Sequence, residues 1–272
     1  MGTLYLVATP IGNLEDISAR ALRMLREAGL IAAEDTRVTR KLLTHYGIKS
    51  RLISYFEHNK ISRLDQILEA LAEGDVALVS DAGTPGLNDP GYELVREAIL
   101  AGHPVSAIPG PASPVAALVA SGLPTDSFLY LGYVPRKSGE RRAAFEDVAN
   151  VPYTLVFLES PHRLVKTLVD MQSVLGDRNL AVARELTKLH EEIWRGRISG
   201  ARQHFPEPRG EIVLVVGGKT ASECRRWSQA KVQAAMQKQL KEGAAPTTAA
   251  AELSAQSGWT RREIYKLALS LR

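Results

Sequence analysis

The sequence predicts an α/β fold: two α/β domains, the first built on a parallel sheet and the second on a mixed one, followed by a C-terminal helical module. Three observations predict it. Short apolar runs alternate with segments of helical spacing through residues 1–121. Most of these runs break into loops of glycine, proline and small polar residues. Beyond residue 221 the apolar runs stop and only helical spacing remains. Strand–helix alternation argues for parallel strands covered on both faces. The expected domains are 1–122, 123–220 and 221–272, with the first boundary where Gly122-Leu123-Pro124-Thr125-Asp126 interrupts the pattern.

In the first domain, Thr3 to Ala8 reads as a buried strand ending in the loop Thr9 to Asn13. Asp16 to Ala28 has helical spacing and stops at Gly29, a natural helix terminator. A strand over Leu30 to Ala33 leads into the charged loop Glu34-Asp35-Thr36-Arg37 and a helix over Thr39 to Tyr46. Leu52 to Ser54 is a short strand, and Ser62 with Asp65 predicts a capped helix to Glu73. Val76 to Val79 is the central apolar run, and Asp81 is the only charge between Val76 and Asn88. Asp89 as N-cap and Pro90 at the first helical position predict a helix to Ala101. Val105 to Ile108 then breaks into Pro109-Gly110-Pro111-Ala112-Ser113 before a small-residue helix over Val115 to Ser121.

The second domain predicts strands at Phe128 to Tyr133, Tyr153 to Leu158, Leu180 to Ala183, His190 to Arg195 and Ile212 to Val216. Helices are expected over Gly139 to Ala149 and, with Ser160 as N-cap and Pro161 next, onward to Leu175. The tail predicts helices over Gln229 to Lys241, stopped near Gly243, Thr247 to Ser257, and Arg261 to about Leu271. Thr260 and Glu263 form a capping box for the last. The final helix pair has the layout of a helix-turn-helix, and equally that of a helical hairpin that packs or dimerises.

Hydrophobic residues at 45% and charged residues at 24% are the balance of a soluble globular chain. One cysteine, Cys224, leaves no internal disulfide framework and no cysteine metal cluster, which suits a reducing, cytoplasmic setting. The first residues have no basic segment of a signal peptide, and no apolar run approaches membrane-spanning length. The total charge of +4 is unevenly placed. Residues 221–272 carry nine Lys/Arg, Arg225 and Arg226 among them, against four Glu, so the rest of the chain is near neutral. A basic tail points to a polyanionic partner or to a solvated helical face.

Familiar motifs fail. Gly217-Gly218-Lys219-Thr220 lacks the earlier glycine of a phosphate loop, where Val213 stands in a strand. His190-Glu191 finds Trp194 where a zinc protease needs its second histidine, and no metal is expected. Neither Gly-x-Gly-x-x-Gly nor Gly-x-Ser-x-Gly is present in a usable position. Instead, the loops Thr9 to Asn13, Asp81 to Asn88, Pro109 to Ser113, Arg184 to Thr187 and Pro208 to Glu211 offer exposed backbone beside apolar strands. Each is ordinary turn chemistry alone, and together they can line a cleft between domains.

Five motifs carry a family resemblance: Leu4 to Leu14 (LYLVATPIGNL), Ala33 to Arg37 (AEDTR), Ser80 to Gly86 (SDAGTPG), Ile108 to Ser113 (IPGPAS) and Glu159 to Arg163 (ESPHR). With them the chain resembles the tetrapyrrole methylase superfamily of S-adenosylmethionine-dependent methyltransferases. With AEDTR and ESPHR, which separate it from the corrin and porphyrin enzymes, it looks like the branch that methylates a cytidine ribose 2′-hydroxyl in 16S ribosomal RNA of the small subunit. The resemblance implies S-adenosylmethionine held between the two domains, a cytoplasmic homodimer, and a tail of the helix-turn-helix type. It implies donor contacts at Pro10, Asp81, Gly83, Thr84, Ala112, Ser113, Leu158, Arg184, Gly210 and Glu211. A ribose hydroxyl is weakly acidic, so a base helps. Asp35 and Glu34 are the favoured candidates, with Glu159 and His162 also at the expected rim. Arg37, His162 and Arg163, with Arg261, Arg262 and Lys266 of the tail, are expected on RNA. The alternative for Glu34 and Arg37 is that they pair and only shape the loop. Other readings are a corrin or porphyrin C-methyltransferase, a diphthine-type protein methyltransferase, and a non-catalytic nucleic-acid-binding protein that senses a nucleotide-like ligand.

Overall fold

The computed structural model describes residues 1–219, 227–242 and 244–270. Its first sheet holds β1 (Leu4–Val7), β2 (Leu30–Ala33), β3 (Leu52–Ser54), β4 (Val76–Val79) and β5 (Val105–Ile108) in the order β3-β2-β4-β1-β5. All its pairings are parallel. The helices α1 (Ala19–Glu27), α2 (Thr36–His45), α3 (Leu64–Glu73), α4 (Tyr92–Leu100) and α5 (Ser113–Ala120) follow the strands in turn. A strand covered on both faces must be apolar at every position. In β4, Ala77 and Val79 pack with Leu25 and Leu43 of α1 and α2, whereas Val76 and Leu78 pack with Ile67, Leu71 and Leu94 of α3 and α4. Burying each of the larger side chains contributes about 1.5–3 kcal/mol.

Several helix starts differ from the sequence expectation. Leu14–Asp16 is a separate 3-10 turn capped by Asn13, Ile17 is extended, and the Ser18 side chain accepts from the Ala21 N–H to begin α1. α2 starts at Thr36, because Asp35 takes the N-cap position and accepts from the Arg37 N–H at 2.8 Å. The Ser62 hydroxyl donates to the Asn59 carbonyl at 2.9 Å, so it does not cap α3. α4 begins at Tyr92 with Gly91 as its N-cap, and neither Asp89 nor Pro90 has the expected place. Asn88 at φ 65 turns the chain first, and the Asp89 carboxylate faces the Ser80 side chain instead of the helix.

The second sheet runs β6-β7-β10-β8-β9, from β6 (Phe128–Tyr133), β7 (Thr154–Glu159), β8 (Asn179–Arg184), β9 (Glu192–Arg197) and β10 (Ile212–Val216). β6 and β7 are parallel and the rest antiparallel, the mixed arrangement expected. One face is covered by α6 (Ser138–Asp147), α7 (Leu164–Leu175) and α8 (Ile198–His204). The sequence pattern does not predict α8: its seven residues bury only Ile198 and Ala201, too short a stretch for a helical period to show. Ser160 stands before the turn Pro161–Arg163, but its hydroxyl makes no capping bond. The other face of the sheet packs Val156, Ala181, Val213 and Val215 against Ala117 and Leu118 of α5 and against Ile11. α5 therefore holds the two sheets together, and the strand-end loops of the first meet the second.

The tail consists of α9 (Gln229–Lys241), α10 (Pro246–Ser257) and α11 (Arg261–Ser270). Val232, Met236, Ala249, Ala250, Leu253 and Ile264 form its own core. Gly258 takes φ 69 at the turn, and Thr260 and Glu263 exchange the reciprocal capping bonds expected. Gly243, Leu271, Cys224, Arg225 and Arg226 lie outside the described residues. Among the described residues, no helix is long and apolar enough to cross a membrane.

Candidate active site

The loops after β1, β4 and β5 come together through backbone and hydroxyl bonds. Thr9 and Gly83 exchange N–H to carbonyl bonds of 2.8 and 3.0 Å. The Thr84 hydroxyl donates to the Pro111 carbonyl at 3.1 Å. Gly83 has φ +84, and a Cβ there would sit 3.4 Å from Ile11, so glycine suits the turn and keeps the wall thin. The opposing wall comes from the ends of β6, β7, β8 and β10. Between the walls lies a cavity of about 630 Å³, the size of a site for a drug-sized ligand.

Eight of the ten expected donor contacts line this cavity: Asp81, Gly83, Thr84, Ala112, Ser113, Leu158, Gly210 and Glu211. Pro10 and Arg184 are not among its lining residues. Ile11 supplies the wall at the first loop, and Arg184 turns away to bond Glu192 at 2.6 Å. Of the expected catalytic pair, Glu34 lines the cavity and Asp35 does not. The Glu34 carboxylate accepts from the Asp81 N–H at 3.2 Å, and the Asp81 carboxylate accepts from the Asp35 N–H at 3.0 Å. This exchange fastens the loop after β2 to the loop after β4. Asp35 is committed elsewhere: bonds from the Arg37 side chain and backbone hold its carboxyl down to about 2. Burial, with help from nearby Asp81 and Asp35, pushes Glu34 up.

At the rim, Glu159 is buried and accepts from Ser160 N–H, the Thr167 hydroxyl and Arg163. Arg163 also donates to the Val134 carbonyl, so this pair braces the start of α7. His162 is exposed on the same turn. Arg37 is exposed next to the loop and paired with Asp35 at 2.6 Å, while Arg261, Arg262 and Lys266 are exposed on α11.

The sequence reading missed Asp89, Tyr130, Tyr133 and Lys188. Asn88-Asp89-Pro90-Gly91 is turn composition, and that signal would have left Asp89 on the loop instead of in a helix cap. Tyr130 and Tyr133 are an odd number of residues apart and would face opposite ways in a regular strand. A bulge with Gly132 at φ +66 brings both to the cavity. The same glycine lets Asn88 approach, where a Cβ would lie 2.6 Å from its side-chain nitrogen. The Tyr130 hydroxyl then donates to Asn88 Oδ1 at 2.6 Å, a direct tie between the loop after β4 and the second sheet.

Among the described residues the lining is strongly acidic: Glu34, Asp81, Asp89, Glu159, Glu185 and Glu211 face one cation, Lys188. Lys188 is engaged by Glu185 at 3.0 Å and Glu211 at 3.3 Å, and Glu159 by Arg163. Glu34, Asp81 and Asp89 make no ion pair among the described residues. Burial followed by the charges of Glu34 and Asp81 pushes Asp89 up to about 6, and burial raises Asp81 as well. Such a wall repels phosphate and attracts a ligand carrying positive charge.

Against known proteins, the family model described as Tetrapyrrole (Corrin/Porphyrin) Methylases matches residues 3–201. A ribosomal RNA small subunit methyltransferase I from Halalkalibacterium halodurans is 46% identical over 98% of this chain and 94% of its own length. The protein of that name from Synechocystis is 44% identical over 100% of this chain and 99% of its own. The one from Thermotoga maritima is 48% identical over its whole length but only 80% of this chain. A solved uroporphyrin-III-C-methyltransferase from Thermus thermophilus superposes with a TM-score of 0.56 at 24% identity, over 79% of this chain and 97% of its own, which shows the shared fold. The chain belongs to the tetrapyrrole (corrin/porphyrin) methylase family, in the group of the ribosomal RNA small subunit methyltransferase I proteins.

Proposed function

We propose that this enzyme transfers a methyl group from S-adenosylmethionine to the ribose 2′-oxygen of a cytidine in 16S ribosomal RNA of the small subunit. Full-length identity of 44–46% to the methyltransferases above carries the reading, and the acidic cavity supports it. S-adenosylmethionine bears a sulfonium and an ammonium, and its bound form supplies a methyl carbon open to attack. Asp81 and Asp89 would hold the cationic end, and the Gly83, Ala112 and Gly210 backbone offers flat contact for the nucleoside. Glu34, fixed by the Asp81 N–H and raised in pKa, would accept the 2′-hydroxyl proton as the oxygen–carbon bond forms and the carbon–sulfur bond breaks. Asp35 serves as the cap that orients α2 beside it. The same cavity turns phosphates away, so RNA meets the protein at the rim, where Arg37 and His162 stand, with α11 offering Arg261, Arg262 and Lys266. The protein works in the cytoplasm as a homodimer in this reading.

The test is methyl transfer to small ribosomal subunits from cells lacking the protein, followed by mass spectrometry of the digested RNA. One added methyl on a cytidine ribose is the expected result. Methyl on a base, on protein, or on a porphyrin substrate alone would overturn the reading.

A further inference from the structure

Outside the cavity, the chain from Thr36 to Phe56 contains no Asp or Glu, yet it carries Arg37, Arg40, Lys41, Lys49 and Arg51. The body as a whole is near neutral, so this concentration is local. α2 supplies its first part and the turn into β3 its second. Residues 37, 40, 41, 44 and 45 recur at helical spacing and share one face. In the structure Arg37, Arg40, Lys41, Thr44 and His45 line a shallow cleft of about 480 Å³. A second cleft of about 290 Å³ takes in Arg40, Thr44, Lys49 and Ser50, so Arg40 and Thr44 join the two into one groove. Arg40, Lys41 and Lys49 are exposed and make no ion pair among the described residues. At one end of the groove Arg37 pairs with Asp35, whose N–H donates to the cavity-lining Asp81, and the groove runs along a helix about 15 Å long.

Charge here is arranged in opposition: carboxylates inside the cavity, unpaired cations along its outer approach. We propose that the outer face of α2 and the turn after it form a phosphate-binding track, in which Arg40, Lys41 and Lys49 hold the RNA backbone and lead the target ribose to the cavity mouth. The Thr44 hydroxyl donates to the Arg40 carbonyl at 2.7 Å and the Ser50 hydroxyl to the Ala28 carbonyl at 3.5 Å, so the phosphate contacts of the track are those of its cations. The track rests on the RNA-methylation reading and names how that substrate is held. A strand of RNA fits the groove because its contacts are to repeated phosphates and demand no base-specific pocket.

The experiment compares the full-length protein with the triple variant Arg40→Gln/Lys41→Gln/Lys49→Gln. Affinity for unmethylated small subunits is measured at several salt concentrations, independently of methyl transfer, and S-adenosylmethionine binding is measured by calorimetry. The variant should bind subunits about tenfold or more weakly, and its log–log salt slope should be shallower by about 2 to 3. Donor affinity should stay as in the parent. Restoring charge with Arg40→Lys in place of Arg40→Gln should recover part of the slope. Equal affinity and equal slope would overturn the track. A loss of affinity with an unchanged slope would also overturn it, by pointing to a ribosomal protein contact. Should the parent bind subunits yet add no methyl, the functional reading falls while the binding comparison still decides the track.

Discussion

Glu34 and Asp89 are side chains of one wall with different consequences. If Glu34 takes the ribose proton, Glu34→Gln keeps the acceptor for the Asp81 N–H and removes the base. Methyl transfer should then fall by about 10²- to 10⁴-fold with donor binding retained, as single-turnover rates and calorimetry would show. In the parent the rate should rise with pH through a raised carboxyl pKa and then level, and the variant should lack that limb. Asp89 instead carries a stability cost. Folding raises its pKa from 3.8 to about 6, so the folded protein binds this proton more tightly than the unfolded chain. The cost grows as pH rises from about 4 to about 6 and is constant above. Asp89→Asn should therefore stabilise the protein at pH 8 by about 1 kcal/mol, a figure reduced for solvent screening of a half-exposed group. At pH 3, where both forms are neutral, denaturant midpoints of parent and variant should nearly coincide.

Between elements, the α6–α7 contact shows the opposite pH sign. Asp170 accepts from Arg141 Nε at 2.8 Å and from Ser138 at 2.9 Å, and both Arg141 and Asp170 are buried. Burial works against the ionised carboxyl, but the Arg141 and Ser138 bonds outweigh it and leave its pKa below the ordinary value. Its contribution is present above about pH 4 and lost as pH falls through the lowered value. Asp170→Ala would remove the carboxylate from the Arg141 guanidinium, whose side chain is 6% exposed and keeps its bonds to the Pro135 and Arg136 carbonyls, at a cost of about 3 kcal/mol, measurable by urea unfolding at pH 7. Elements such as β4 and β10 were legible in the sequence because burial on two faces makes every residue apolar. Asp81 to Thr84 and Ala112-Ser113 were legible because turn chemistry and motif coincide there. What the pattern hid depended on distant partners. Asp89 looked like a helix cap until Ser80 claimed it, Tyr133 reached the cavity only through the Gly132 bulge, and Arg184 left for Glu192 on a neighbouring strand.

At the scale of the whole molecule, the tail has a hydrophobic cluster of its own and is expected to be separable from the body. Among the described residues, the tail's core uses residues between Trp227 and Leu267, while the cavity is lined by residues from Ile11 to Val213. The relative from Thermotoga maritima matches along its full length while covering 80% of this chain, so its likeness needs no counterpart of the remaining fifth. A protein ending at Lys219 is therefore expected to fold, to bind S-adenosylmethionine with unchanged affinity, and to keep its turnover at saturating subunits. What should change is KM for the subunit. Arg261, Arg262 and Lys266 stand exposed on one helix, and losing phosphate contacts from all three would flatten the salt dependence of binding by about 2 to 3 log–log units. If α10 and α11 instead join two copies of the chain, truncation would leave that slope intact and shift sedimentation from dimer to monomer. Salt-dependent subunit binding and analytical ultracentrifugation of the same truncated protein separate these outcomes. The exposed cations on α11 favour the first.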